Sequence, residues 1–215
     1  MTTSILVVDD EPSVLRFFKN KLGQSGKWVV QTAKTANEAL VKTDEVSPHL
    51  VLLDIRLEIN GMDGIACLSE MRARGFEGTI CIMTGNPSLE LLFTAALAGA
   101  DAFIEKNGAF SNFVWEVDNL LEMSARKRVV SLKPFDPAQH GIFLRSKGLN
   151  EAQIDILTKY ANMGFPLEKD LAHACGLSAS ALSKRLARIK SKLGVDSMRQ
   201  IVRLMTILSM YGARH

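Results

Sequence analysis

The sequence predicts an α/β protein in two parts: a (βα)5 module built on a doubly wound parallel sheet, then a small all-α module of four helices. Three observations carry that expectation. Five short apolar runs alternate with longer amphipathic stretches over the first half, and from Leu149 onward the apolar spacing is purely helical. The net charge also changes sign: residues 1–124 hold 10 Lys/Arg against 17 Asp/Glu, a net −7, and residues 125–215 hold 16 against 6, a net +10. A length of 215 residues suits one medium domain and one small one.

In chain order, the apolar runs are Ser4–Val8, Trp28–Thr32, Leu50–Leu53, Thr79–Met83 and Ala102–Ile104. Strands that are apolar throughout are buried on both faces, as in a parallel sheet between helical layers, and parallel connections need crossover helices. Ser124–Gly148 mixes Arg126, Lys127 and Arg128 with Pro134, Pro137 and Gly141, holds no sustained period and reads as a linker. Beyond it, Ile154, Leu157 and Ala161 mark one helix, and Leu171 and Ala174 a second. Leu182, Leu186, Ile189 and Leu193 mark a third, and Ile201, Leu204 and Leu208 a fourth. Between the second and third, Gly176 permits a tight turn and Ser178 can cap the next helix, which is a helix-turn-helix pattern. The expected division is 1–123, a linker over 124–148, and 149–215.

Composition narrows the function classes. At 47% hydrophobic and 23% charged residues, the chain reads as globular and ordered. No apolar run approaches the roughly 18 to 20 residues of a membrane span, and Met1-Thr2-Thr3-Ser4 opens no secretory signal, so a cytoplasmic location is expected. Cys67, Cys81 and Cys175 have no paired metal-ligand spacing and read as buried thiols in a reducing compartment. His49, His140, His173 and His215 are scattered and are assigned no chemistry, while Met198, Met205 and Met210 read as core filling.

The strand ends carry the chemistry, because ligands of such sheets collect at the carboxyl ends of the strands. Asp9 and Asp10 follow the first strand, Asp54 closes the third, Thr84 closes the fourth and Lys106 follows the fifth. Carboxylates brought together repel unless a hard divalent cation such as Mg2+ sits among them. With Mg2+ and Lys106 neutralising a phosphoryl group, the Asp54 carboxylate can attack phosphorus, and Thr84 can donate a hydrogen bond to a phosphoryl oxygen. Helix capping ahead of Pro12 explains Asp9 and Asp10 singly, and a solvated surface charge explains Lys106, but not their joint order.

Over about residues 1–123 these elements resemble the receiver domain of two-component response regulators. The matching segments are Val7-Val8-Asp9-Asp10-Glu11, Leu52-Leu53-Asp54, Met83-Thr84-Gly85, Gly99-Ala100-Asp101-Ala102-Phe103 and Lys106. The resemblance implies a flavodoxin-like sheet of order 2-1-3-4-5 and Asp54 as phospho-acceptor. It further implies Mg2+ held by Asp10, Asp54 and the Arg56 backbone carbonyl, with Asp9 acting through water, and a switch formed by Thr84 and Phe103. Three departures stand out: Glu58 where the family commonly has proline, a Met62-Asp63-Gly64 turn about two residues late, and Asn107 where proline is frequent. Asn107 leaves a cis bond there unpredicted. Arg56 and Asn86 flank the site at positions resembling those that tune phosphoryl lifetime.

In the basic half, the third helix sets its apolar stripe opposite an arc containing Lys184, Arg185, Arg188 and Lys192. Such a helix fits the DNA major groove, with Ser180, Ala181, Ser183 and Lys184 nearest the bases and the later cations on phosphates. Gly176-Leu177-Ser178, Leu182, Arg188-Ile189, Lys192-Leu193-Gly194-Val195 and Ile201-Val202-Arg203-Leu204 resemble the LuxR-type DNA-binding domain, although Ala181-Leu182-Ser183 stands where Thr-Val-Lys is frequent. That resemblance implies pairing of two copies through the last helix on inverted repeats of double-stranded DNA; the apolar face of Ile201–Leu208 allows this, and burial within one module explains it equally well.

The expected function is a response regulator and not an enzyme: a partner sensor histidine kinase phosphorylates Asp54, and the change alters dimerisation or DNA binding. Two alternatives stay open. The basic module can be a protein-binding adaptor, or the first module a phosphatase with an aspartyl nucleophile, although Arg56 stands where such enzymes commonly carry a second Asp.

Overall fold

The computed structural model describes residues 3–57, 62–106, 113–126 and 135–212. The expectations for Glu58, Asn107 and His215, and much of the basic run and Pro134 in the proposed linker, lie outside these residues. The chain divides into two compact units, Met1–Lys127 and Arg128–His215.

The first unit alternates β1 (Thr3–Val8), α1 (Pro12–Gly23), β2 (Trp28–Ala33), α2 (Ala36–Val46), β3 (Leu50–Asp54), α3 (Gly64–Ala73), β4 (Thr79–Thr84), α4 (Leu89–Ala98), β5 (Ala102–Glu105) and α5 (Phe113–Arg126). All five strands pair in parallel in the order β2-β1-β3-β4-β5. Central β3 is buried along its whole length, which is why Leu50-Val51-Leu52-Leu53 shows no polar alternation. Edge strand β2 instead leaves Val29 exposed, and the Lys42 ammonium donates to its Thr32 carbonyl.

Register aligns the strand ends. Val8 lies beside Leu53, Asp54 beside Met83, and Thr84 beside Glu105, so the residues that follow or end these strands emerge along one rim. The opposite ends of β4 and β5 are tied by Arg72, whose guanidinium donates to the carbonyls of Phe76, Gly78 and Gly99 and pairs with Asp101. Asp101 also accepts the Ile80 N–H. A half-buried guanidinium with every bond answered by a loop carbonyl or a carboxylate is a strong local tie.

The second unit holds α6 (Pro137–Ser146), α7 (Glu151–Asn162), α8 (Glu168–Ala174), α9 (Ala179–Leu193) and α10 (Met198–Gly212). The last four match the helices read from periodicity; α6 lies in the span read as linker and raises the number to five. Asp136 caps it through the Ala138 N–H, Pro137 opens it, and Phe143 and Leu144 are buried. One short apolar run, Ile142-Phe143-Leu144, in ten residues shows no sustained period, which hid the helix; the Asp-Pro start signal was present. At the turn between α8 and α9, Gly176 adopts φ +63 and the Ser178 hydroxyl accepts from the Ala181 N–H, as expected. Ala174 is exposed and its neighbour Ala172 takes the buried place.

Helix α10 packs on α6 and α7, and Ile201, Leu204, Met205, Ile207 and Leu208 are fully buried. The face expected to pair two copies is thus covered within the chain. Cys67 and Cys81 are buried, but Cys175 is partly exposed at the α8–α9 turn, against the expectation of three buried thiols. Among the described residues, no helix is long and apolar enough to cross a membrane.

Candidate functional site

The structure brings Asp9, Asp10, Asp54 and Lys106 together. A carboxylate oxygen from each of the three acids can be chosen so that all lie within 4.8 Å of one another. The Lys106 ammonium stands 2.6 Å from Asp9 Oδ2 and 2.7 Å from Asp54 Oδ2. Asp9 and Asp54 are only 1% and 6% exposed, whereas Asp10 is half-buried. Asp9, expected to act at a distance through water, is therefore the most enclosed of the three.

Backbone geometry explains why these side chains face one way. Lys106 N–H donates to the Thr84 carbonyl at 2.8 Å, extending the β4–β5 pairing one residue beyond the strand. Asp9 Oδ1 accepts the Glu11 N–H at 3.0 Å and Asp54 Oδ1 accepts the Arg56 N–H at 3.3 Å, each a carboxylate turned back over its own loop. Gly64, the first residue of α3, donates to the Ile55 carbonyl, and a Cβ added there would stand 2.1 Å from the Asp54 carbonyl oxygen. Only glycine lets α3 approach β3 so closely. Sequence reading placed Gly64 in a late turn but had no signal for this contact.

Two of the three carboxylates, Asp9 and Asp54, share the Lys106 ammonium. Burial pushes the Asp9 carboxyl above its usual range, and hydrogen bonds from Lys106 and the Glu11 N–H offset that only partly. For Lys106, burial favours the neutral amine, but the hydrogen bonds it donates to Asp54 and Asp9 outweigh that and hold the ammonium above its ordinary value. An all-oxygen donor set of three clustered carboxylates fits a hard divalent cation such as Mg2+.

Thr84 is buried, and its hydroxyl oxygen accepts the Asn86 N–H at 3.2 Å. Phe103 lies one strand away on β5, opposite Ile82, and is fully enclosed. Arg56 is exposed beside the acceptor strand. A cleft of about 510 Å³ lies at the other end of β3 and β4, lined in part by Asp44, His49, Arg74 and Glu77; it is remote from the acid cluster.

In the second unit, Ser180, Ser183, Lys184, Arg185 and Arg188 are exposed on α9 and Ala181 is half-buried, while Leu182, Leu186, Ile189 and Leu193 are buried. Lys192 is likewise exposed. Its ammonium donates to the Gly148 carbonyl at 2.6 Å and to Gln153 Oε1 at 2.8 Å, so two of its donors are engaged within the unit.

Comparison with known proteins gives a matching picture. Residues 5–118 match the family described as the response regulator receiver domain. The transcriptional activator protein ExaE of Pseudomonas putida is 28% identical over 206 residues, which cover 93% of this chain and 94% of that protein. The DNA-binding transcriptional activator EvgA of Escherichia coli K12 is 23% identical over 199 residues, 90% of this chain and 92% of its own. Several further curated relatives align more narrowly, and the chain spans about half their length. Among solved structures, the CheY-like receiver domain protein of Methanospirillum hungatei superposes with a TM-score of 0.54 at 29% identity, covering 59% of this chain and 99% of that one.

Proposed function

The chain belongs to the response regulator receiver family, and from that premise we propose that it is a phosphorylation-controlled, DNA-binding transcriptional regulator. Asp54 is the phospho-acceptor and a sensor histidine kinase the donor. The observation that carries this reading is the Lys106 ammonium at 2.7 Å from Asp54 and 2.6 Å from Asp9 on one rim of the sheet.

An Asp54 carboxylate oxygen attacks the phosphorus of a phosphohistidine; the O–P bond forms, the P–N bond breaks, and the departing imidazole takes up a proton. Asp9, Asp10, Asp54 and the Arg56 carbonyl hold Mg2+, which when bound neutralises phosphoryl oxygens. Lys106, already paired with Asp54, turns its ammonium to the new phosphoryl group. Thr84 donates its hydroxyl hydrogen to a phosphoryl oxygen, and Phe103 packs into the space that movement opens. The added charge of about −1.5 to −2 biases a two-state element that the second unit reads.

Support for the DNA partner is the exposed cationic face of α9 beside a capped helix-turn-helix, together with the full-length similarity to two transcriptional activators. The output module, of LuxR type by its motifs, is drawn here from Phe135 onward so as to include α6. Binding to inverted repeats requires pairing of two copies, and pairing through α10 requires that its buried face first be uncovered. Two exposed apolar side chains, Ile142 on α6 and Leu167 before α8, favour a protein-binding adaptor as the second reading.

Incubation with a small-molecule phosphodonor and Mg2+ tests the first step. Label is expected on Asp54 and none on the Asp54→Asn variant; label elsewhere, or none, overturns the acceptor assignment. Selection of binding sites from random DNA, with and without the phosphodonor, tests the output, and salt-insensitive or absent binding favours the adaptor.

A further inference from the structure

We propose that Lys192 is a positioning residue that sets the roll of the DNA-reading helix, and is not one of the cations that contact phosphate. The inference rests on the DNA-binding reading above and refines it.

Lys184, Arg188 and Lys192 follow one another at four-residue intervals on α9, each about 40° around the helix from the last. They form one slightly drifting file, and by spacing alone Lys192 is the third phosphate cation of that file. Its bonds point elsewhere. The ammonium reaches the Gly148 carbonyl, 44 residues back in the chain, and Gln153 Oε1, 39 residues back. Gln153 is itself buried and engaged: its N–H donates to Asn150 Oδ1 and its Oε1 accepts the Asn150 N–H, which closes the capping box of α7.

Lys192 thereby clips the last turn of α9 to the first turn of α7 and to the loop before it. The buried stripe of Leu182, Leu186, Ile189 and Leu193 holds α9 on its core, but a stripe of aliphatic side chains tolerates small rotations about the helix axis. Two directed hydrogen bonds from one ammonium do not. Because Lys192 sits in the same file as Lys184 and Arg188, fixing its azimuth fixes where those two point. Lys184, Arg185, Arg188 and Lys192 are all exposed, so the two hydrogen bonds of Lys192, and not burial, set it apart from the other three.

The test uses the full chain and two duplexes: one recovered by selection from random DNA, and a random-sequence duplex of equal length. Affinity is measured against salt for wild type, Lys192→Met, Gln153→Met, the double variant and Arg188→Met, well below each unfolding temperature. A phosphate contact contributes about 0.9 to the slope of log affinity against log salt, so Arg188→Met lowers the slope by about that amount. Lys192→Met and Gln153→Met are each expected to weaken binding to the selected duplex by about fivefold. Their salt slopes stay at the wild-type value, and the double variant is no weaker than the worse single one.

Gln153 is buried and uncharged, so an effect shared with it cannot come from a lost phosphate contact. A slope lowered by about 0.9 in Lys192→Met, with Gln153→Met at wild-type affinity, overturns the proposal in favour of direct contact. Lowered unfolding temperatures with unchanged affinities overturn it in favour of a purely structural clip. If wild type binds neither duplex, Arg188→Met matches wild type, and the parent DNA reading fails visibly, taking the proposal with it.

Discussion

The acid rim of the first unit and the cationic face of the second are both charge clusters, and they are built on opposite terms. At the rim, Asp9, Asp54 and Lys106 are enclosed and in direct contact, so each charge is tied to folding. On α9, Lys184, Arg185 and Arg188 are exposed like charges held apart by the helix. The first arrangement holds its charges inside the fold; the second presents them to solvent. Perturbing the rim should therefore move stability, and perturbing the face should move binding alone.

The largest stability change is expected at Gly64. Gly64→Val forces a side chain against the Asp54 carbonyl and should cost about 3 kcal/mol in denaturant unfolding, with loss of phosphodonor labelling. Divalent cation comes next: Mg2+ at about 100 times its dissociation constant should stabilise the first unit by about 2.7 kcal/mol, and Asp10→Asn or Asp54→Asn should abolish the gain. Lys106→Met strands two enclosed carboxylates and should cost about 2 kcal/mol at neutral pH, less than a fully buried pair because solvent reaches the ammonium. That loss should shrink as acid protonates Asp9, whose carboxyl is already pushed upward by burial.

A fourth, smaller effect belongs to the second unit. His140 is buried against Phe135 and its Nε2 has no partner among the described residues, while burial lowers its pKa below the ordinary histidine value. The unfolded chain takes up a proton near pH 6.5 and the folded one only at lower pH. Stability contributed by this site is whole above about pH 6.5, falls as pH drops below it, and levels off beneath the folded value. Thermal unfolding between pH 7.5 and 5.5 should show that decline, and His140→Phe should flatten it. Smallest of all, the triple variant Lys184→Gln, Arg185→Gln, Arg188→Gln should shift stability by less than about 0.5 kcal/mol. A loss as large as at the rim would erase the contrast between the two clusters.

Legibility in the sequence follows the same divide between local pattern and distant contact. All five strands and the last four helices announce themselves by period, and the residues now found at the rim could be named because they end or follow strands. Gly64 against Asp54, Arg72 with its loop carbonyls, and Lys192 with Gln153 were invisible. Each depends on which surfaces the fold presses together, and none alters local periodicity. By spacing alone Lys192 continues the file of Lys184 and Arg188, and nothing in that spacing signals its bonds to Gly148 and Gln153. Helix α6 is an intermediate case: its Asp136-Pro137 opening was readable, but its apolar face was too short to register.

The Arg72 guanidinium has a mechanical consequence for β4 and β5. With Phe76, Gly78, Gly99 and Asp101 gathered on one side chain, the two strands are clamped at their bases. Any displacement of Thr84 is then travel measured from that clamp as fulcrum, and amide exchange should be slowest at Ile80 and quicken toward Thr84.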